Sequence, residues 1–239
     1  MTQQTLGASR LTGQSVVALD LETVSPALAA GERPDFDDPG DFELLAVAMA
    51  VQRPGTGPES EPDESTVVFR EAPSADAERA LGTQLLDRLE ALSPDVLVTF
   101  NGERFDLPVA TGRLRRRGED EAADRLASLF ADLEHLDLKH SAWAAYGEYT
   151  SLTTLIDEQG LPVPRTAWAD FPVELPGFTD IEAQAKGPYI GGADIAAVGE
   201  LYLESRTAGH DVDRLEAMLR EYAAGDVARL CQLAARHPF

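Results

Sequence analysis

Lysine is almost missing from this chain. Of its 20 basic residues only Lys139 and Lys186 are lysines, and the others are arginines. Cysteine is rarer still. Cys231 stands alone, which excludes an internal disulfide framework and a thiolate zinc cluster and suits a reducing cytoplasm. No stretch approaches the roughly 20 apolar residues of a membrane span. Met1 to Gln14 carries neither a basic start nor an apolar run, so no signal peptide is indicated. Positive charge is scarce overall: 42 acids against 20 bases leave a net charge of −22. That is a poor match to a nucleic-acid binder, which normally shows a basic footprint. Taken alone, it favours an acidic protein with no nucleic-acid business. Acid-rich, lysine-poor composition is also typical of halophilic proteins working in multimolar salt, where the Debye length falls to about 3 Å at 1 M and surface repulsion is screened. Such salt weakens any grip based on phosphate neutralisation. Metal ions and short hydrogen bonds then have to supply most of it.

What is present is a core. The chain has 239 residues, 44% of them hydrophobic, and no internal repeat. After a flexible tail over 1–13, residues 14–239 read as a single α/β domain. SVVALDLE at 15–22 predicts a strand buried on both faces, followed by an acidic, Pro- and Gly-rich loop over 25–42. LLAVAMAVQ at 44–52 and TVVFR at 66–70 are strands joined by a loop at 53–64, most simply an antiparallel meander. Ser74 caps a predicted helix whose Leu81, Leu85, Leu89 and Leu92 share one stripe. VLVTF at 96–100 and HLDL at 135–138 are further strands, with helices predicted over 107–117 and 120–130 between them. Beyond 139 the chain reads as mostly helical, with an irregular Pro-rich stretch at 161–180 and closing helices over 193–206 and 211–236.

Three acidic motifs are spread across this layout. Asp20 and Glu22 lie two apart in the first strand and so project from one face, with Leu19 and Leu21 on the other. On its own an Asp-x-Glu pair at a strand end reads as a solvated edge. Asp106, in Asn101-Gly-Glu-Arg-Phe-Asp106, follows the fourth strand, on the loop outside a strand's carboxyl end where open α/β sheets place ligands. Capping the next helix ahead of Leu107-Pro108 is an equal alternative. In the last helix Leu215, Leu219, Tyr222, Asp226, Leu230 and Leu233 form a single face. A carboxylate within an apolar stripe faces the protein and needs a partner, an arginine or a cation. Gly225 beside it is tolerable if something must approach closely. Four acids converging on one point repel each other unless cations sit among them.

In this order, Asp-x-Glu, Asn-x-x-x-Phe-Asp and Tyr-x-x-x-Asp, the motifs resemble those of the DEDD 3′–5′ exonucleases of the ribonuclease H-like fold, in the subgroup with tyrosine. Proofreading domains of family-B DNA polymerases belong to it. The histidine subgroup would need His at 221, where Glu221 stands. The resemblance covers roughly residues 15–235 and includes HLDL and the Ser151-Leu-x-x-Leu that follows. It implies a mixed five-stranded sheet, a three-strand antiparallel meander plus two parallel strands, flanked by helices. It implies Asp20, Glu22, Asp106 and Asp226 as ligands of two Mg²⁺ or Mn²⁺ ions, with Tyr222 orienting the attacking water. Its substrate would be a single-stranded or frayed nucleic-acid 3′ end, with DNA favoured over RNA. A catalytically silent nucleic-acid-binding or assembly domain of the same fold is the rival reading. An endonuclease is a third.

Four residues are candidate substrate contacts. Asn101 and Phe105 line the site or merely make the turn and anchor it. Arg113 belongs to the only basic cluster, with Arg115, Arg116 and Arg117, which is otherwise a solvated helix end favoured by the macrodipole. Lys186 precedes Gly187-Pro188-Tyr189, within reach of a phosphate.

Overall fold

A computed structural model of the chain describes residues 11–28, 32–36, 38–57 and 60–239. At its centre lies a mixed sheet of five strands in the order β3-β2-β1-β4-β5: β1 Val16–Val24, β2 Glu43–Gln52, β3 Glu64–Phe69, β4 Val96–Thr99 and β5 Glu134–Asp137. The first three pair antiparallel, and β4 and β5 run parallel to β1. This is the expected α/β architecture, a meander plus two parallel strands, and it is consistent with the ribonuclease H-like fold. Helices α1 Ala75–Leu92, α2 Asp106–Arg116, α3 Asp120–Asp132, α4 Leu138–Tyr146, α5 Leu152–Glu158, α6 Phe178–Gln184, α7 Gly192–Thr207 and α8 Asp213–Arg236 flank it. None of the helices among the described residues is long and apolar enough to cross a membrane.

Alternation along β1 divides the core. Val17, Leu19 and Leu21 pack with the leucine stripe of α1 and with Val109, Leu114 and Leu126 of α2 and α3. Val16 and Ala18 face α7 and α8, meeting Val198, Leu215, Leu219 and Leu230. On that second face β2 presents Ala46, Ala48 and Ala50, all fully buried. Three methyl groups in a row let α8 lie close, and Cys231 Sγ comes within 3.9 Å of the Ala50 carbonyl. Gly225 of α8 has a similar purpose: a Cβ there would stand 2.8 Å from Pro164. A proline from the irregular stretch therefore sits where a side chain would otherwise be.

The boundaries differ where pairing extends the pattern. β1 runs on to Val24 and β2 starts at Glu43 because their register continues past an irregularity between Glu22 and Thr23. β3 begins at Glu64, which pairs with Val51. Ser74 caps α1 as expected, its Oγ accepting from the Ala77 N–H at 3.2 Å. Of the tail expected over 1–13, residues 1–10 lie outside the described residues, and Leu11 is buried in the core. Parts of both acidic loops, residues 29–31, 37, 58 and 59, also lie outside them.

Arg113 corrects the reading of the basic cluster. Its guanidinium is buried, not aimed at a substrate: Nε and Nη2 grip the Glu78 carboxylate of α1 at 2.7 and 2.9 Å. Arg117 also bonds Glu78, at 2.5 Å, and Glu43, at 3.0 Å, while buried Arg70 reaches Glu43 at 2.7 Å. The Leu44 N–H donates to Glu78 at 2.9 Å, tying this network to the sheet. Burial alone would push the Glu78 carboxyl up, but the two guanidiniums and that N–H hold it below its ordinary value. Arg113→Ala leaves a buried carboxylate short of a partner, so it is expected to destabilise the fold by about 3–5 kcal/mol. Chemical denaturation measures this.

Candidate metal centre

β1 outruns its parallel neighbour. The last β1–β4 pair is Ala18 with Val98, and β4 ends at Thr99. Asp20 and Glu22 lie beyond that point, in the crevice where the chain leaves the carboxyl end of the sheet. Across β2 their partners are Ala48 and Ala46, so no bulky neighbour crowds either carboxylate. The Leu21 N–H, which β4 no longer reaches, donates instead to Asp106 Oδ1 at 2.9 Å. Asp106 is the first residue of α2, and the residue before it, Phe105, makes no side-chain cap. Its carboxylate is therefore spent on the end of β1 rather than on capping.

From the other side, α8 delivers Asp226. One carboxylate oxygen each from Asp20, Glu22 and Asp226 fall within 4.8 Å of one another. Asp226 forms no ion pair among the described residues; its side-chain hydrogen bond is with Tyr222, one helical turn earlier. The competing explanation of a neutralising arginine is thus not what the structure holds. Glu22 is buried, and its Oε1 has no hydrogen-bond partner among the described residues. A buried, unpartnered carboxyl oxygen beside two further acids is costly for a protein and natural for a ligand awaiting a cation. The donor set is all carboxylate oxygen, which suits hard divalent ions.

The electrostatics carry the same stress. Burial, and then the charges of Glu22, Asp106 and Asp226, push the Asp20 carboxyl well above its usual range. Burial, Asp226 and Asp106 raise Glu22 to about 8. Asp106 rises to about 7, through burial that outweighs its two backbone N–H bonds, with Asp137 adding to the rise. Asp226 reaches about 6, again by burial, against the lowering effect of the Tyr222 bond. The Tyr222 phenol moves far upward, from burial and then from Asp226, Glu22 and Asp20. At neutral pH it is therefore a hydrogen-bond donor.

No protein-family model matches the chain, and no curated protein matches it. Among solved structures it is similar to the family B DNA polymerase from the hyperthermophilic archaeon Pyrobaculum calidifontis, with a TM-score of 0.49 and 16% identity. The match covers 93% of this chain and 27% of the polymerase.

The remaining candidates separate. Asn101 adopts a left-handed backbone (φ 75°). Its N–H donates to Asp137 at 2.8 Å and its side-chain oxygen accepts from Lys139 Nζ at 2.7 Å, so it makes the turn after β4. Phe105 packs edge-on against Phe42 at 4.9 Å. Both Phe105 and Lys186 line a cleft that also contains Glu22. Asp137, absent from the sequence reading, ends β5 and accepts from the N–H groups of Asn101, Glu103 and Lys139 at 2.8, 3.0 and 3.0 Å. It organises the loop that brings Asp106 in. Its position at a parallel strand's carboxyl end was the available signal.

Proposed function

We propose that the chain is a metal-dependent 3′–5′ exonuclease. The observation that carries this is the meeting of Asp20, Glu22 and Asp226 within 4.8 Å without a positive partner among the described residues. Asp20, Glu22, Asp106 and Asp226 would hold two Mg²⁺ or Mn²⁺ ions. Bound there, the ions would supply a nucleophilic water at neutral pH and stabilise the leaving 3′ oxygen. The chain's own work is different. β1 and α8 fix the carboxylates on two rigid elements, Asp106 is held by the Leu21 N–H, and the Tyr222 hydroxyl secures Asp226 while remaining a donor near the reacting phosphate. The substrate of this reading is a single-stranded or frayed 3′ end, DNA ahead of RNA.

Incubating the protein with 5′-labelled DNA and RNA oligonucleotides, with Mg²⁺ or Mn²⁺ in high KCl, tests it. Mononucleotides should leave stepwise from the 3′ end, only with metal, and faster from DNA. A circular single strand should survive. Cutting of the circle would make the protein an endonuclease, and calorimetry without Mn²⁺ uptake would make it a silent domain.

A further inference from the structure

Tyr149 is 84% exposed, more than any other large apolar side chain among the described residues. Its backbone is left-handed, at φ 76°, a conformation that costs any residue but glycine free energy. Hydrogen bonds fix the turn that imposes it. The Gly147 N–H donates to the Trp143 carbonyl at 3.0 Å and ends α4. The N–H and Oγ1 of Thr150, itself buried, both donate to the Gly147 carbonyl, at 3.3 and 2.7 Å. Ser151 Oγ then caps α5, accepting from the Thr154 N–H at 3.1 Å. Beside the Tyr149 ring lies Trp143, 6.4 Å away between centroids. Lys139 holds its ammonium 4.8 Å from the Trp143 centroid and 2.7 Å from Asn101 Oδ1, and it makes no ion pair with a described residue. A line of contacts thus runs from the loop that carries Asp106 out to Tyr149. It lies on the metal-centre side of the sheet. Leu138 and Ala142 of α4 and Leu155 of α5 pack into the same core as Val16 and Ala18, on the β1 face that bears Asp20 and Glu22.

Folding gains little from an aromatic ring held in solvent on a strained backbone, so the ring is kept for something that it touches. Resting on the exonuclease reading, we propose that Tyr149 is a stacking platform for an internal base of a single strand, on the 5′ side of the bond being cut, reached past Lys139 and Trp143. The chemistry favours a strand over a protein surface. The platform is joined to the loop of the metal centre, the Lys139 ammonium has donors to spare for a phosphate, and every base offers a face to stack. Stacking needs no counterion release, so it holds in salt that weakens an electrostatic grip. Bases in a duplex are already stacked on one another. The platform therefore selects single strands long enough to reach it.

The test measures KM in Mn²⁺ for oligothymidylates of increasing length. It also follows the fluorescence of one 2-aminopurine, moved inward from the 3′ end of a longer oligothymidylate bound in Ca²⁺. For wild type, KM should fall roughly 5- to 150-fold once the chain reaches the platform, the equivalent of one stack, and one internal position should be quenched. Tyr149→Gly should lose both the fall and the quenching. It should nevertheless melt at the wild-type temperature or above, because glycine adopts this φ without strain. Tyr149→Trp should keep the fall and the quenching. Tyr149→Gly that retains the fall in KM, or that lowers kcat equally at every length, overturns the platform. Wild type with the same KM at every length does so too, and leaves the ring to a protein partner. Wild type that hydrolyses no oligonucleotide sinks the exonuclease reading instead, so the two failures are distinct.

Discussion

Asp20→Asn and Asp226→Asn should each lower 3′-end hydrolysis by on the order of 10³-fold or more, while the protein stays folded. Metal ions contribute several kcal/mol of charge stabilisation at a reacting phosphate, and each 1.36 kcal/mol is a factor of ten. Neutral amides of the same shape remove that contribution without disturbing the packing. They also relieve repulsion: burial and neighbouring carboxylates have raised Asp20, and burial has raised Asp226. Both variants should accordingly melt at or above the wild-type temperature in EDTA at pH 8. Single-turnover kinetics with calorimetric melting separates the two effects. Variants that are inactive because they have unfolded would show it in the melt. Variants that hydrolyse at the wild-type rate would move the chemistry elsewhere.

Divalent metal should stabilise the protein most at alkaline pH. Folded-state pKa values of about 8 for Glu22, about 7 for Asp106 and about 6 for Asp226 lie above those of unfolded carboxylates, about 4. The folded state therefore holds protons that the unfolded state has released, and stability from these groups falls as pH rises from about 4 to about 8. Glu78 and Asp63, whose pKa values are lowered, act below that window. A cation bound there would take the place of the protons. At a hundredfold excess over its Kd it adds about 2.7 kcal/mol, roughly 5–10 °C in Tm for a chain of this size. At pH 5.5 the gain should shrink because protons compete. Melting curves with and without Mn²⁺ at both pH values measure it, and equal Tm values at pH 8 would show that the carboxylates bind no ion.

Much of this centre was legible before any coordinates. Two-residue spacing put Asp20 and Glu22 on one face, and helical spacing put Asp226 in an apolar stripe; both patterns follow from fixed periods of the backbone. The positions of the five strands along the chain were legible too, through short β-branched and apolar runs bounded by break residues. What could not be read was anything set by distant partners. Arg113 looks like a solvated helix end until Glu78, arriving from α1, is seen to bury it. Asn101 reads equally as a site contact or a turn residue until its bonds to Asp137 and Lys139 are seen. Phe36 sat in an acidic loop with no period at all, and only the rings of Phe42 and Phe105 reveal that it is held.

The row of alanines on β2 has a consequence for how this centre can vary. Ala46 and Ala48 stand opposite Glu22 and Asp20, and Ala50 touches α8 through Cys231. Their methyl groups act as a spacer that sets how far the helix-borne acid stands from the strand-borne pair. Each enlargement would lever α8 outward and widen the ion's seat. On the proposed reading, the choice of ion would rest partly on three side chains that carry no charge.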